Sequence, residues 1–307
     1  MSCGPEADFA PSCVPSITSS GHRAVLLTDD GVRIEAARTP RIPLPQAPSG
    51  PSPEPPSAPV GDLAVVLAHG FTGSLEKPAL RRAAAALSQH ADVITFSFRG
   101  HGGSGGRSTV GDREIHDVTA AIRWARSLGH RRIATVGFSM GGSVVLRQAA
   151  LHGRRGPDRG RGEHGERTGA CPDAVVAVSA PARWYYRGTA SMRRLHWAVT
   201  SPTGRLVSRV GLRTRIHPAE WDPVPLSPAE AVPLIAPTPL LLVHGDRDPY
   251  FPVDHPRMLM AAADPATTAL WLERGFGHAE NAAGPELLRR IGEWVVARTG
   301  QGLPPAL

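Results

Sequence analysis

Short apolar runs alternate along this chain with segments in which apolar residues recur at helical spacing. The strand-type runs are 132–136, 240–243 and 268–272. Helical spacing covers 80–87, 113–128, 143–150 and 285–298. Continuous apolar runs of this length are typical of strands buried on both faces, and strands that alternate with helices favour a parallel sheet. The pattern therefore predicts an α/β fold with helices on both faces of the sheet.

The first such segments have a different character. Two strand-type runs, 23–28 and 32–37, flank Asp29, Asp30 and Gly31, and an Asp-Gly pair between strands is a hairpin signal. We therefore predict that these runs form two antiparallel strands at one edge of the sheet.

Three segments carry too little apolar surface to join a core. They are an N-terminal tail at 1–22, a Pro-rich loop at 40–60 and an Arg-rich loop at 153–169. Nine prolines lie in the 20 positions from Pro40 to Pro59, and proline cannot donate a ladder hydrogen bond. We expect a flexible tail and two solvated surface loops.

The end of the 132–136 run carries the clearest chemical signal. Gly137 and Gly141 flank Ser139 in the pattern G-x-S-x-G, and the helical spacing of 143–150 follows at once. A strand, this turn and a helix make a nucleophile elbow, in which the serine hydroxyl stands above the sheet edge. A second match centred on Ser104 is followed by no apolar period, so we interpret it as a glycine loop.

Partners for Ser139 follow it in the sequence. The strand-type run 240–243 ends in a turn that carries Asp246 and Asp248, and His278 lies on a glycine-containing loop after 268–272. The order nucleophile, acid, base differs from the orders of the chymotrypsin and subtilisin folds. A serine hydroxyl is a weak nucleophile at neutral pH, so it needs such a base.

These segments together resemble the α/β-hydrolases of the lipase, lysophospholipase, carboxylesterase and serine aminopeptidase kind. The motifs are His69-Gly70-Phe71, Arg99-Gly100-His101-Gly102, the Ser139 elbow, His244-Gly245-Asp246-Arg247-Asp248 and Gly277-His278. The resemblance implies an α/β-hydrolase domain over 23–307, with a mostly parallel eight-stranded sheet and a small lid insertion at 182–235. It also places the acid on Asp248 rather than on its close rival Asp246.

Each residue then has an expected role. His278 would accept the Ser139 proton, and Asp248 would orient the imidazole. Backbone N–H groups of Phe71 and Met140 would form the oxyanion hole that stabilises the developing negative charge. His69, His101 and His244 are expected to be structural.

The lid insertion is rich in aromatic residues, which would favour an apolar acyl or alkyl group if they faced the pocket. They are Trp184, Tyr185, Tyr186, Trp197 and Trp221. The alternative is that these rings only pack the lid's own small core. The insertion shows no obvious cationic or phosphate-binding motif.

Composition changes this picture little. The net charge is +7, but 33 of the 34 basic residues are arginine, a skew that fits codon bias better than a nucleic-acid surface. No stretch approaches a transmembrane span or a signal peptide, so we expect a cytoplasmic protein without an integral membrane segment. Three cysteines fit no metal spacing, and we expect neither metal nor cofactor.

The predicted function is a serine hydrolase that cleaves a small-molecule carboxylic ester through an acyl-enzyme. Peptidase, thioesterase and acyltransferase activities use the same triad and stay open, as does a catalytically silent binding module. Oligomeric state is not predicted.

Overall fold

The computed structural model describes residues 22–42, 61–153 and 169–300. Most of the predicted N-terminal tail, of the Pro-rich loop and of the Arg-rich loop lies outside these residues.

A single sheet of eight strands forms the centre of the described chain, with the order β1-β2-β4-β3-β5-β6-β7-β8. The strands are β1 (Arg23–Leu27), β2 (Arg33–Thr39), β3 (Leu63–Ala68), β4 (Asp92–Phe96), β5 (Arg132–Phe138), β6 (Ala174–Val178), β7 (Leu240–Gly245) and β8 (Thr268–Glu273). β3 to β8 are mutually parallel, which confirms the predicted architecture.

The N-terminal hairpin also forms as predicted, because β1 pairs antiparallel with β2. Only β1 lies at the edge, however: β2 is an interior strand that pairs antiparallel with β4, with Ala36 opposite Phe96. β2 thus joins the hairpin to the parallel part of the sheet.

Helices cover both faces. They are α1 (Pro78–Leu87), α2 (Glu114–Ser127), α3 (Met140–His152), α4 (Ala190–Thr200), α5 (Pro202–Gly211), α6 (Pro228–Ala231), α7 (Asp254–Ala262), α8 (Ala279–Ala282) and α9 (Pro285–Gly300), with a 3₁₀ turn at Val232–Leu234. α2 and α3 pack on one face, where Ile122 and Leu146 are fully buried. α1 and α9 pack on the other, with Leu80 and Ile291 in a second core.

A buried ion network fastens the hairpin turn to this framework. The Arg99 guanidinium after β4 donates to Asp30 in the turn and to Asp117 in α2, with the closest contacts at 2.6 and 2.8 Å. Burial of the Asp117 carboxyl raises its pKa to about 7, even though Arg99 acts in the opposite direction.

The lid segment, residues 182–235, lies between β6 and β7 and contains α4, α5 and α6. It returns to the framework through two β-bridges, His101 with Thr214 and Ser108 with Ile216. Among the helices within the described ranges, none combines the length and the apolar composition that a membrane-spanning segment requires.

Candidate active site

Ser139 lies in the sharp turn between β5 and α3. Its φ of 51° and ψ of −113° are strained for a residue with a side chain. The flanking glycines make the turn possible: a Cβ at Gly137 would lie 2.2 Å from the Gly141 carbonyl oxygen, and one at Gly141 would lie 2.5 Å from the Ala68 carbonyl oxygen. The turn therefore has the geometry of a nucleophile elbow.

A chain of hydrogen bonds leads away from the Ser139 hydroxyl. His278 Nε2 lies 2.9 Å from Ser139 Oγ, and His278 Nδ1 lies 2.7 Å from Asp248 Oδ2. The three residues follow β5, β8 and β7, so the parallel strands deliver them to one edge of the sheet. In a neutral imidazole one nitrogen donates and the other accepts, so a proton on Nδ1 leaves Nε2 free to accept from the serine.

Asp248 has the surroundings of an orienting carboxylate. Its side chain is fully buried, and Oδ1 accepts from the N–H groups of Tyr250 and Phe251 at 2.8 and 3.0 Å. Burial alone would raise the pKa of Asp248, but the hydrogen bonds from His278 and from the backbone outweigh it and lower this pKa. Asp248 is thereby held as an anion beside the His278 ring.

The two rival residues lie elsewhere. Asp246 is exposed and accepts from the Gly275 N–H at 2.6 Å. Ser104 is buried, and its hydroxyl donates to the Ser97 carbonyl at 2.6 Å while it accepts from the Glu35 N–H at 3.0 Å. Both side chains hold loops together, and neither contacts His278.

Two backbone N–H groups are available beside Ser139. Phe71 and Met140 both line the cavity that Ser139 faces. Within the described part of the chain, neither N–H donates a hydrogen bond. Met140 is the first residue of α3, where a backbone N–H has no intrahelical acceptor. Such unpaired donors next to a nucleophile are what an oxyanion hole requires.

Sequence reasoning missed Glu280, which supports this loop from behind. The buried Glu280 carboxylate accepts from the Gly70 N–H at 2.9 Å, one residue before Phe71. A Cβ at Gly70 would lie 3.2 Å from the carboxylate and 3.4 Å from Ser139 Cβ, so the loop is tightly confined. Its position two residues after His278 was the available sequence signal.

Two buried histidines fix the same loop. His69 Nδ1 lies 2.7 Å from the Gly70 carbonyl oxygen, and its Nε2 accepts from the Phe98 N–H at 3.0 Å. His101 receives the Thr72 N–H at 3.3 Å. Burial, together with the proximity of His101, lowers the pKa of His69 to about 3, and burial also lowers the pKa of His101. Both rings are therefore neutral and structural, as predicted.

The cavity above Ser139 has a volume of about 340 Å³. Its walls include four of the predicted aromatic residues, Trp184, Tyr185, Tyr186 and Trp221. Trp184 and Trp221 pack edge to face with ring centroids 5.1 Å apart. Both alternatives for these aromatic residues therefore hold, since the rings pack on one another and also face the cavity.

Trp197 is the exception among the predicted aromatic residues. It is absent from the cavity wall, and 51% of its surface is exposed. The reason is helical periodicity: Met192, Leu195, His196 and Val199 form the stripe of α4 that lines the cavity. Trp197 lies off that stripe, on the outward side.

Cationic side chains that no sequence motif predicted also line the cavity. Arg183, Arg187 and Arg205 contribute to its wall. Arg183 forms an ion pair with Asp254 at 3.1 Å and lies over the Tyr186 ring at 5.2 Å from the ring centroid. The lid sequence shows no obvious cationic site, but folding gathers these separated arginines around one cavity.

Comparison with known proteins agrees with the observed fold. The family described as alpha/beta hydrolase fold matches residues 64–161, which run from β3 through α3. No curated protein is similar enough in sequence to be matched to the chain.

Solved structures are similar over nearly the whole chain. An esterase from Pyrococcus furiosus is 22% identical, with 90% of this chain and 92% of that one covered and a TM-score of 0.61. Est1E from Butyrivibrio proteoclasticus, solved with ferulic acid, is 18% identical over 89% of this chain and 98% of its own, with a TM-score of 0.55. A Xanthomonas campestris serine hydrolase without a lid is 18% identical over 94% and 98%, with a TM-score of 0.54. The predicted resemblance in fold is confirmed.

Proposed function

Since the chain has the α/β-hydrolase fold, we propose that it is a serine hydrolase that cleaves a carboxylic ester through an acyl-enzyme. The observation that carries the proposal is the unbroken hydrogen-bond chain from Asp248 through His278 to Ser139, at the floor of a cavity. The esterases and serine hydrolases of similar fold support the same class of reaction.

Acylation begins when Ser139 Oγ attacks the ester carbonyl carbon while His278 Nε2 takes the hydroxyl proton. The carbonyl oxygen becomes an anion, and the N–H groups of Phe71 and Met140 donate to it. His278 then protonates the leaving alcohol as the C–O bond breaks, which leaves the acyl group on Ser139. The Asp248 carboxylate stabilises the imidazolium throughout these steps.

Deacylation repeats this sequence with water. His278 removes a proton from the water molecule, whose oxygen attacks the acyl carbon, and it returns that proton to Ser139 Oγ. The products are a carboxylic acid and a regenerated hydroxyl. An acyltransferase would replace this water with an alcohol.

The substrate we propose is a small ester with an apolar part. A volume of about 340 Å³ is at the small end of ligand pockets, and the walls are largely aromatic and aliphatic. A lipase-like or lysophospholipase-like substrate is consistent with this wall.

A fluorophosphonate probe tests the mechanism directly. We expect it to modify Ser139 in the folded protein, and peptide mapping would identify the adduct. Ser139→Ala should abolish labelling, whereas Ser104→Ala, the matched control from the second G-x-S-x-G sequence, should label normally. An adduct on Ser104 would refute the assignment of the nucleophile. No adduct on the folded wild type would refute the proposal and favour a silent binding module.

A panel of substrates tests the bond that is cleaved. Esters, thioesters and aminoacyl amides with the same acyl group should be hydrolysed in that order of kcat/KM if the protein is an esterase. A preference for the amide or thioester would retain the triad but assign a peptidase or thioesterase.

A further inference from the structure

The helix α5 exposes its apolar side, whereas an ordinary surface helix buries it. Its buried positions are the small residues Gly204 and Ser208, one turn apart. Its large aliphatic side chains point outward: Leu206, Val207 and Val210 are 61%, 53% and 75% exposed. A helix that exposes its apolar stripe needs a partner for that stripe.

The inward contact explains why α5 cannot simply rotate. Gly204 packs against α4 so closely that a Cβ there would lie 2.3 Å from the Trp197 carbonyl oxygen. Only a residue without a side chain fits at this position. The apolar face of α5, the exposed Trp197 of α4 and the following Leu212 are therefore fixed on the outside of the lid segment.

The lid segment that carries this face is strongly cationic. Eight arginines and no acidic residue occur between positions 183 and 219. Arg193, Arg194, Arg209 and Arg213 are exposed. Arg183, Arg187 and Arg205 line the cavity, and Arg215 donates to the Ser104 carbonyl oxygen. Of the eight arginines, only Arg183 has an acidic partner within ion-pair distance among residues 22–42, 61–153 and 169–300.

We propose that this surface, formed by the outer faces of α4 and α5 and by residues 212–213, docks on an anionic lipid bilayer. Exposed Leu and Val side chains enter the interface between head groups and acyl chains, and the surrounding guanidinium groups bind lipid phosphates and carboxylates. Arginine suits this position because its aliphatic stem lies along apolar surface while its charge stays at the head groups.

A second copy of the chain is a poorer occupant. A two-fold contact presents the same patch from both sides and would bring the uncompensated arginines of one copy against those of the other. A nucleic acid would complement the charge, but its phosphate backbone offers nothing to the aliphatic side chains of α5. An anionic bilayer complements both the charge and the apolar surface.

Docking would bring the cavity within one layer of helices of the bilayer. α4 and α5 contribute Leu195, His196, Val199 and Arg205 to the cavity wall, from the side opposite to the exposed face. This step alone rests on the proposed esterase function. If that function holds, the substrate is an ester that partitions into the membrane.

Vesicle sedimentation tests the docking without any catalysis. The full chain carrying Ser139→Ala is mixed with vesicles of phosphatidylcholine alone or of phosphatidylcholine with phosphatidylserine. We expect binding to the second only, and we expect it to weaken as salt increases, because salt screens the attraction. No binding to the anionic vesicles would overturn the proposal while leaving the esterase proposal untouched.

Two pairs of variants locate the surface. Arg194→Gln with Arg209→Gln should lower the partition coefficient about tenfold or more, since each arginine near an anionic surface contributes severalfold. Arg274→Gln with Arg298→Gln removes the same charge from exposed positions outside the lid segment and should change binding much less. Equal losses in the two pairs would overturn the proposal.

The apolar contribution has its own control. Leu206→Ser with Val210→Ser should weaken vesicle binding severalfold even where salt is high, whereas Leu272→Ser with Val296→Ser, also at exposed positions, should not. All four positions lie outside the cavity wall, so hydrolysis of a water-soluble ester should be unchanged. If single-stranded DNA competes fully and the apolar variants bind like wild type, the surface is a polyanion site and the lipid proposal fails.

Discussion

The helices α3 and α5 each carry adjacent aliphatic side chains, which α3 buries and α5 exposes. Val144, Val145 and Leu146 of α3 are fully buried against the sheet behind Ser139, whereas Leu206, Val207 and Val210 of α5 face outward. Periodicity identifies a helix and its apolar side, but it does not say what covers that side. The sheet covers α3, and no described element covers this side of α5.

The two regions also differ in how tightly each position is constrained. Around Ser139, glycines lie in direct contact with backbone atoms of β3 and α3, so a single added methyl group would clash with the backbone. In the lid segment, close contact is confined to few positions such as Gly204. The catalytic edge should therefore respond to small changes far more strongly than the lid.

The largest effect we expect separates the two acids of the β7 turn. Asp248→Asn should lower kcat by about 10³–10⁴, because an amide stabilises neither the required tautomer nor the imidazolium. Asp246→Asn should change kcat by no more than severalfold, since Asp246 only accepts from Gly275. Steady-state kinetics on one soluble ester would measure both, and the reverse ranking would reassign the acid.

Matched glycine substitutions compare the two regions in stability. Gly137→Ala places a Cβ 2.2 Å from the Gly141 carbonyl oxygen and should lower the free energy of unfolding by about 3 kcal/mol or more. Gly211→Ala at the end of α5 meets nothing within 4 Å and should be neutral or stabilise by up to about 1 kcal/mol. Denaturant unfolding measures both, and a similar cost at the two positions would contradict the difference in packing.

Acid should weaken the core through its buried neutral histidines. The pKa of His69 is lowered to about 3 and that of His255 to about 4, chiefly by burial, while an unfolded histidine titrates near 6.5. Below about pH 6.5 the unfolded chain binds protons that the folded chain excludes, so stability falls with pH until these folded pKa values are reached. The loss should be on the order of a few kcal/mol.

Asp117 opposes this trend, because its raised pKa of about 7 lets the folded chain hold a proton that the unfolded chain releases. The lowered pKa values of His69, His255 and His101 should together reduce the free energy of unfolding in acid by more than the raised pKa of Asp117 increases it. Unfolding free energies at pH 7 and pH 5 decide the sign, and Asp117→Asn should steepen the decline. Equal or higher stability at pH 5 would refute the assignment.

The smallest effect concerns the lid aromatic residues. Each added methylene of an acyl chain should gain up to about 0.8 kcal/mol until the cavity is full, so kcat/KM should increase severalfold per carbon and then level off. Trp221→Ala should shift that limit to longer chains, because its ring lines the cavity. Trp197→Ala should leave the profile unchanged. An identical profile in the Trp221 variant would make its ring a packing residue only.

Local patterns in the sequence were enough to predict many of the elements and the residues of the proposed triad. Apolar patterns located three of the six parallel strands, β5, β7 and β8, and the helices α1, α2, α3 and α9. The glycines around Ser139 identified the elbow, because both signals are local in the chain. The order of Ser139, Asp248 and His278 indicated which residues should meet. The sequence did not indicate Glu280 behind the loop that carries Phe71, because no motif links this carboxylate to the Gly70 N–H, 210 positions away.

The orientation of the lid helices became clear from their packing in the folded chain. The stripe of α4 that includes Leu195 lines the cavity while Trp197 points away, and Gly204 and Ser208 turn inward in place of the aliphatic side chains of α5. Whether a side chain is buried depends on the element that packs against it, and that element is often distant in the sequence. Glycine permits a close approach of α5 to α4 that no periodic pattern encodes, and this approach leaves an apolar, arginine-rich surface exposed.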